Sequence, residues 1–393
     1  GITGLISAYM LLKEGKTVSI FEKKAEFGLG ATKYTTAFIT QALDTDYSDL
    51  ISIHGESKAR KIARSHAEAI HLIETIVVAE HIECEFMRCS NFIYANNPKE
   101  AKRIHEESVV LKKLGFDVEF NTQGHHLGFE NNGYMEMRNQ AKFNITLFIK
   151  GLSATLCRKN ARIFLDEEVI DIQLGDVISQ VKTTKREIES RWVIIATYEP
   201  FNKPLGLYFK KAFYTSYVFD VKIPKGKIRE GIYEDTQDPY YYFRIDPLDE
   251  THDTLVIGGE DHRTDLHISK EKSFSALESY LKKLVPSLPF RIESKWSGPI
   301  LEPVDGLPFI GPHHSHNLLY AMAFSGNGMT YSAISALIFA DIISGRKNEW
   351  LEIYSARRIP TFKALAIKGK DYAKEMIFGA LENTIKQRKK KKK

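Results

Sequence analysis

A glycine pair opening a helical pattern constrains this chain more than any other feature. Gly1-Ile-Thr-Gly4 leads into Leu5, Ile6, Ala8, Tyr9, Leu11 and Leu12, apolar positions that recur at helical spacing until Gly15 ends them. Thr17–Phe21 then alternates as a buried strand does and stops at Glu22. A helix and strand in this order are two parts of a βαβ unit. In a dinucleotide fold a G-x-G-x-x-G turn joins the first strand to the first helix, and Gly1 and Gly4 fit as the second and third of its glycines. The first glycine and the first strand are then expected upstream of Gly1. The middle glycine lets a pyrophosphate approach backbone N–H groups at the helix start, where partial positive charge favours an anion. Glu22, about 20 residues on, is placed to accept hydrogen bonds from a ribose hydroxyl. The competing structural reading is a glycine-opened surface helix followed by an edge strand.

Length and charge narrow the class. The 393 residues have room for about two to three domains. A composition of 43% hydrophobic and 27% charged residues excludes collagen-like and wholly disordered chains. Three cysteines (Cys84, Cys89 and Cys157) argue against a disulfide scaffold and for a reducing, cytoplasmic setting. No apolar run reaches about 18 residues, so no integral membrane segment is expected. The formal +5 charge belongs to the end of the chain, where Lys386–Lys393 holds seven basic residues and no acid. Without them the body is slightly acidic, and no aromatic residue interleaves with the run, so no nucleic-acid partner is expected.

The next loop separates nicotinamide from flavin. Phe27-Gly-Leu-Gly-Ala31-Thr-Lys-Tyr-Thr35-Thr36-Ala37 is rich in glycine and threonine and opens no helix. It suits a second phosphate and the edge of a flavin ring. Farther on, Leu318–Phe324 reads as a buried strand that turns through Gly326-Asn-Gly-Met-Thr330 into an apolar helix ending near Ile343. The start of that helix can stabilise negative charge on a reduced flavin; a tight turn needing small residues is the alternative.

With these residues the chain resembles the D-amino-acid oxidase and glycine oxidase (DAO) family of FAD-dependent oxidoreductases. Trp192-Val-Ile-Ile-Ala-Thr197, Trp296-Ser-Gly298 and Glu302-Pro-Val-Asp-Gly-Leu-Pro-Phe-Ile-Gly311 carry the resemblance beyond the N-terminus, over roughly residues 1 to 355. Thr35-Thr36-Ala37, Gly258-Gly-Glu-Asp-His262 and the Gly326 motif are most similar to a branch often fused to a Rieske iron–sulfur domain. No cysteine follows Cys157, so that cluster is not expected in this chain. The resemblance implies FAD as cofactor. The implied cofactor-binding residues are Gly1, Gly4, Glu22, Lys23, Ala31, Thr32, Thr35, Thr36, Ala37, Val169 (its backbone near adenine), Ala196, Thr197, Gly311, Gly326, Asn327, Gly328, Met329 and Thr330.

It also implies an α/β fold, a discontinuous Rossmann-like FAD/NAD(P)-binding domain with an α+β second domain. The first domain is expected at 1–75, 140–205 and 296–355, interrupted by a helical and loop insertion at 76–139. An antiparallel substrate domain at 206–295 is signalled by period-two alternation in Phe213–Ile223, Tyr240–Ile245 and Thr254–Gly258, with one helix over Lys270–Leu284. A helix near 370–385 and the lysine-rich end are expected within 356–393.

The expected chemistry is oxidation of a C–N bond of a small amine or amino acid, by hydride transfer to flavin N5, with dioxygen or an electron carrier as acceptor. A dehydrogenase of another donor, or a non-catalytic relic, is the alternative. Such chemistry needs position and desolvation more than acids and bases. Tyr240, Tyr242 and Arg244 share one strand face, which gives Tyr242 and Arg244 as catalytic candidates; alternate tyrosines packing a sheet is the plainer reading. His262 is the third candidate, against a surface loop histidine. The glycine-oxidase-like arginine that binds a substrate carboxylate is missing from Ser297-Gly-Pro-Ile300, which leans away from simple α-amino acids. His313, His314 and His316 lack partners at metal spacing, so no metal site is expected.

Overall fold

The structure is a computed structural model describing residues 1–122, 124–202, 211–266, 268–313 and 315–360. The helix expected near 370–385, the lysine-rich end and His314 lie outside the described residues.

From the N-terminus, α1 (Ile2–Lys13) leads to β1 (Ser19–Phe21), β2 (Phe38–Ile39), α2 (Tyr47–His54) and α3 (Glu56–Ala79). Then come β3 (Met87–Tyr94), α4 (Pro98–Leu114), β4 (Val118–Asn121), β5 (Tyr134–Lys142), α5 (Ile145–Arg158) and β6 (Arg162–Phe164). A small antiparallel sheet of β7 (Val169–Gln173), β8 (Ser179–Thr183) and β9 (Glu187–Ser190) precedes β10 (Val193–Ile195). The second module holds β11 (Lys211–Pro224), β12 (Gly231–Glu234), β13 (Tyr241–Pro247), β14 (His252–Arg263), α6 (Lys270–Leu284) and β15 (Arg291–Pro303). The chain returns through β16 (Phe309–Pro312), β17 (Leu318–Met322), α7 (Gly328–Ile343) and α8 (Leu351–Tyr354).

The first module has the parallel pairs of a dinucleotide fold: β1 with β6, and β10 with β17. Residues Met329 to Ser335 of α7 are buried without a break, and α1 buries Ile2, Leu5, Ile6, Ala8, Tyr9 and Leu11. Helices apolar on nearly every side must be covered by other elements. These two pack on each other, and α3 lays its stripe of Ala59, Ile62, Ala63, His66, Ala69 and Ile70 against α7.

The second module is a nine-stranded sheet in the order β15-β11-β14-β13-β12-β3-β5-β2, with β4 also on β5. One face carries Tyr217, Phe219, Val221, Phe243, Ile245 and Leu255 against Leu277 and Leu281 of α6. The other face turns towards α1 and α7. Residues 76–139 require a correction: they are not only helix and loop but supply β3, β4 and most of β5 to this sheet. The partner that makes β3 a strand is distant in sequence: it pairs in parallel with β12, where Asn91 opposes Ile232 and Phe92 opposes Tyr233. Polar residues within these strands also break the alternation. Lys142, for example, is buried with Glu230 and Asp246 at 2.9 Å each.

Candidate functional site

Between the two modules lies a cavity of about 980 Å³. One end is made of backbone. The starts of α1 and α7 both border it, neither has a side-chain cap, and neither has an acid in its first turn. Apart from the Ile2 N–H, which donates to Thr32 Oγ1, their first-turn N–H groups favour an anion or an acceptor placed in the cavity. Thr3 Oγ1 and Ser332 Oγ, 2.8 Å apart, tie the two first turns together.

Gly1 is a steric requirement here. A Cβ on Gly1 would lie 2.8 Å from Thr32 Oγ1, the atom to which the Ile2 N–H donates at 3.3 Å. Gly4 brings α1 against Ala196, with 3.8 Å between its virtual Cβ and that methyl. Glu22 ends β1 with one carboxylate oxygen 3.7 Å from the Gly1 nitrogen and the other accepting from the Lys24 N–H at 3.1 Å. An apolar arm of the cavity continues past Leu5, Ala8 and Ile20 to Ile194 and Ala321.

The turn before α7 is held by its neighbours. Ala323 (φ 60°) and Ser325 (φ 48°) occupy the left-handed region, which non-glycine residues adopt only when surroundings over-determine them. Those surroundings are on hand. The Ser325 N–H donates to Leu301 O at 3.1 Å, the Gly326 N–H to Asp44 Oδ2 at 2.7 Å, and Asn327 Nδ2 to Ala42 O at 2.7 Å.

The other end of the cavity is a sheet face made of side chains. Glu234 on β12 opposes Tyr242 on β13, which opposes Gly258 on β14, which opposes Val218 on β11. The missing side chain at Gly258 gives the Tyr242 ring its place: a Cβ there would lie 2.6 Å from Tyr242 Cε2. The Tyr242 hydroxyl reaches Ser216 Oγ at 2.8 Å, and Phe38 packs edge-on at 5.8 Å between ring centroids. Tyr240, Gly298, Pro299 and Ile300 complete this wall.

Burial sets the electrostatics. It pushes the Glu234 carboxyl up to about 7, helped by Asp44 and opposed by the hydrogen bond from Asn91 Nδ2 at 2.9 Å. Asp261 is likewise held at about 7 by burial, with the Glu302 and Asp44 charges adding to it. The Tyr240 and Tyr242 hydroxyls, also buried, are held well above the usual tyrosine range and stay protonated.

Of the residues expected to bind the cofactor, all but Ala37, Gly311 and Thr330 line the cavity. Thr330 lies behind the α7 start, its Oγ1 hydrogen-bonded to buried His66 Nδ1 at 2.9 Å. Gly311 sits against Leu351, and Ala37 is buried behind Thr35, whose Oγ1 accepts its N–H at 3.0 Å. Of the three catalytic candidates only Tyr242 borders the cavity.

Two of those candidates require a correction. His262 is on the opposite face of the sheet, its ring bonded to Tyr217 Oη at 3.1 Å and Arg263 O at 3.0 Å. A bulge between Thr215 and Tyr217 in the β11–β14 register, with Glu260 at φ 56°, reverses the alternation after Gly258. Asp261 therefore contacts Ser216 and Tyr240 while His262 turns away. Arg244 shares Tyr242's face but is spent elsewhere, on Phe143 O at 2.9 Å and Asp246 at 2.8 Å. Glu234, Asp44 and Ser216 were not expected in the wall; the period-two pattern that marks these strands leaves open which face meets the cavity.

A family model described as FAD dependent oxidoreductase (DAO) matches residues 1–342. This chain belongs to the DAO family. It is 29% identical over 391 residues to the putative Rieske 2Fe-2S iron-sulfur protein YhfW of Bacillus subtilis (strain 168), covering 97% of this chain and 75% of that one. Among solved structures, glycine oxidase from Geobacillus kaustophilus superposes with a TM-score of 0.76 at 18% identity, over 91% of this chain and 97% of that one. L-proline dehydrogenase from P. horikoshii gives 0.75 at 18% identity, over 91% and 95%. The fold is the shared property at these identities.

The cavity fits the FAD that the DAO family uses. Two helix starts without a side-chain cap from their N-cap residues face it from opposite parts of the chain, and at Gly1 a side chain would run into Thr32 Oγ1. Among the described residues no group of three or more His, Cys, Asp or Glu side chains is arranged to hold a metal ion. No helix among them is long and apolar enough to cross a membrane.

Proposed function

We propose that the chain oxidises a C–N bond of a small amine or amino acid, using FAD held along the cavity, with dioxygen or an electron carrier as the final oxidant. Bound FAD supplies a hydride acceptor; the chain supplies position, desolvation and charge. Gly1, Gly4 and Thr32 form the phosphate-binding turn. Glu22 and Lys23 border the ribose, and Val169 the adenine. Ala31, Thr35 and Thr36 line the path to the ring, where Ala196 and Thr197 form the facing wall. Gly326–Met329 present the α7 start to the ring edge that gains negative charge on reduction. Tyr242, fixed by Ser216 and Gly258, forms the wall against which the substrate is positioned.

The observation that carries this reading is the single cavity joining the two helix starts to the Tyr242 face. Free cysteines throughout suit a reducing cytoplasmic location. Ser297-Gly-Pro-Ile300 contains no arginine, so glycine and D-alanine are expected to be poor substrates. The test is the visible spectrum of the purified protein, followed by anaerobic mixing with a panel of amines and aerobic assay for peroxide. A flavin spectrum bleached by at least one amine supports the reading. A colourless protein that ignores added FAD sinks it, and rapid bleaching by glycine or D-alanine sinks the substrate preference.

A further inference from the structure

His66 lies in the apolar stripe of α3, between Ala63 and Ala69, and none of it is exposed. A leucine would suit that stripe better, because the imidazole leaves Nε2 buried with no hydrogen-bond partner among the described residues. The other ring nitrogen gives the residue its reason. Nδ1 is 2.9 Å from Thr330 Oγ1 in the first turn of α7, and the Thr330 hydroxyl reaches back to Asn327 O at 3.3 Å.

A hydroxyl has one proton to give. With that proton on Asn327 O, Thr330 Oγ1 accepts and His66 Nδ1–H donates. The opposite tautomer would bury an Nε2–H donor with nothing to receive it, the less tolerable arrangement. Burial pushes the imidazole down to about 3, so the ring is neutral and sets no cation beside the positive end of a helix. Tyr331 packs edge-on against it, with 4.7 Å between ring centroids, and holds the ring plane.

The bond sits directly behind the cavity. Gly328 and Met329 border the cavity, and Thr330 and His66 are buried in the layer beneath. The loop before α7 is tied to Asp44 and Ala42, and Ser332 is tied to Thr3 of α1. His66 adds a tie from α3. Apolar packing between α3 and α7 is non-directional, whereas a hydrogen bond has one favoured geometry and so fixes the register of the turn.

We infer that His66 is a positioning residue: its Nδ1–H, acting through Thr330, fixes the first turn of α7 and so sets how strongly that turn favours reduced FAD. This goes beyond the C–N oxidation reading. It rests on FAD lying with its ring edge at the α7 start, and not on which donor reduces it.

The test compares His66→Leu, which keeps apolar bulk and removes the donor, with His66→Asn, whose amide offers an N–H at the same place along the side chain. The readout is the midpoint potential of the bound flavin, alongside FAD content. His66→Leu should lower the ratio of reduced to oxidised flavin at a fixed potential by about fivefold, the strength of one helix start acting on an anion. Thr330→Val should give the same loss, and the double variant no more. His66→Asn should stay within about twofold of the unsubstituted chain, the small residue of a bond whose donor is kept. A loss in His66→Asn equal to that in His66→Leu overturns the inference, as does the absence of loss in both His66→Leu and Thr330→Val. Should His66→Leu fail to fold, Thr330→Val decides from the other side of the same bond. The potential needs no amine, so a flavin that no amine bleaches counts against the C–N oxidation reading alone. In a chain that takes no FAD, hydrogen exchange over Tyr331–Ser335 decides: faster exchange in His66→Leu and Thr330→Val but not in His66→Asn supports the clamp, and equal exchange in all of them overturns it.

Discussion

The two ends of the cavity are built from different materials. The helix end is backbone: N–H groups at two helix starts, with Gly1 where a side chain would meet Thr32 Oγ1 and Gly4 where α1 packs on Ala196. The sheet end is side chains: a row of Glu234, Tyr242 and Val218 whose members come from separate strands and meet only through register. A backbone site needs particular residues to be absent, so substitution there adds atoms and blocks. A side-chain site needs particular groups to be present, so substitution there removes an interaction and retunes. Variants at the helix end should therefore cost cofactor, and variants at the sheet end should cost substrate.

The largest expected effect is at Gly4. Its virtual Cβ is at an ordinary contact distance from Ala196, so Gly4→Ala should retain FAD. Gly4→Val adds two further methyl groups to the same contact. Overpacking of this kind costs about 1–3 kcal/mol, which corresponds to roughly 5- to 150-fold in affinity when it falls on the bound state. FAD retained after gel filtration, read from the flavin absorption, checks it. If Gly4→Val keeps full occupancy, the helix end is not a close-packed backbone site.

Gly258 is the sheet end's own small residue and tests the comparison from the other side. Gly258→Ala should displace the Tyr242 ring, which lies where the new methyl would stand. FAD content should hold while turnover of the best amine falls by about tenfold, within the cost of a displaced side chain. In a Tyr242→Ala background the same substitution should have little further effect, because residues in contact are non-additive. Additive losses would show that the ring and the glycine act independently.

The difference in materials also governs what could be read from sequence. The glycine spacing at Gly1 and Gly4, the strand ending at Glu22 and the turn at Gly326 are local, because a backbone requirement is met within a few residues. The sheet end depends on phase. Tyr242 and Arg244 do share a face, as alternation requires, but two residues along the strand carry Arg244 past the cavity to Phe143 and Asp246. One bulge was enough to turn His262 away and bring Asp261 to Ser216 and Tyr240. Nothing in Gly258-Gly-Glu-Asp-His262 marks that extra residue before the partner strand is known. The β3–β12 pairing is hidden for the same reason.

A smaller effect is expected in pH dependence. The Glu234 carboxyl, raised to about 7, is neutral below that pH and anionic above it. Binding of propylammonium, a small amine protonated throughout, should therefore strengthen as pH rises through 7 and level off above it. Asn91 on β3, Tyr242 on β13, Asp44 and the adjacent Asp235 face or border Glu234, and Asp235 itself is raised to about 6 by burial. Asp261, at about 7 beside Ser216 and Tyr240, can share the transition. Glu234→Gln should remove the part that belongs to Glu234, and Asp261→Asn any remainder. A flat profile in the unsubstituted protein contradicts the assignment of a titrating carboxylate to the sheet end.

The smallest change is Tyr242→Phe. It keeps the ring over Gly258 and the edge contact with Phe38, and removes only the hydroxyl at 2.8 Å from Ser216 Oγ. One neutral hydrogen bond contributes about 0.5–1.5 kcal/mol, so turnover or affinity should fall by roughly two- to tenfold. Ser216→Ala should produce at least this loss, since Ser216 also contacts Asp261, and Tyr242→Phe should add little to it if the pair acts through this one bond. FAD occupancy should be unchanged in all three. The hydroxyl stays protonated across the working range, so the loss should not vary with pH, unlike that of Glu234→Gln. A loss that does vary with pH would place the Tyr242 hydroxyl in proton transfer rather than in positioning the wall.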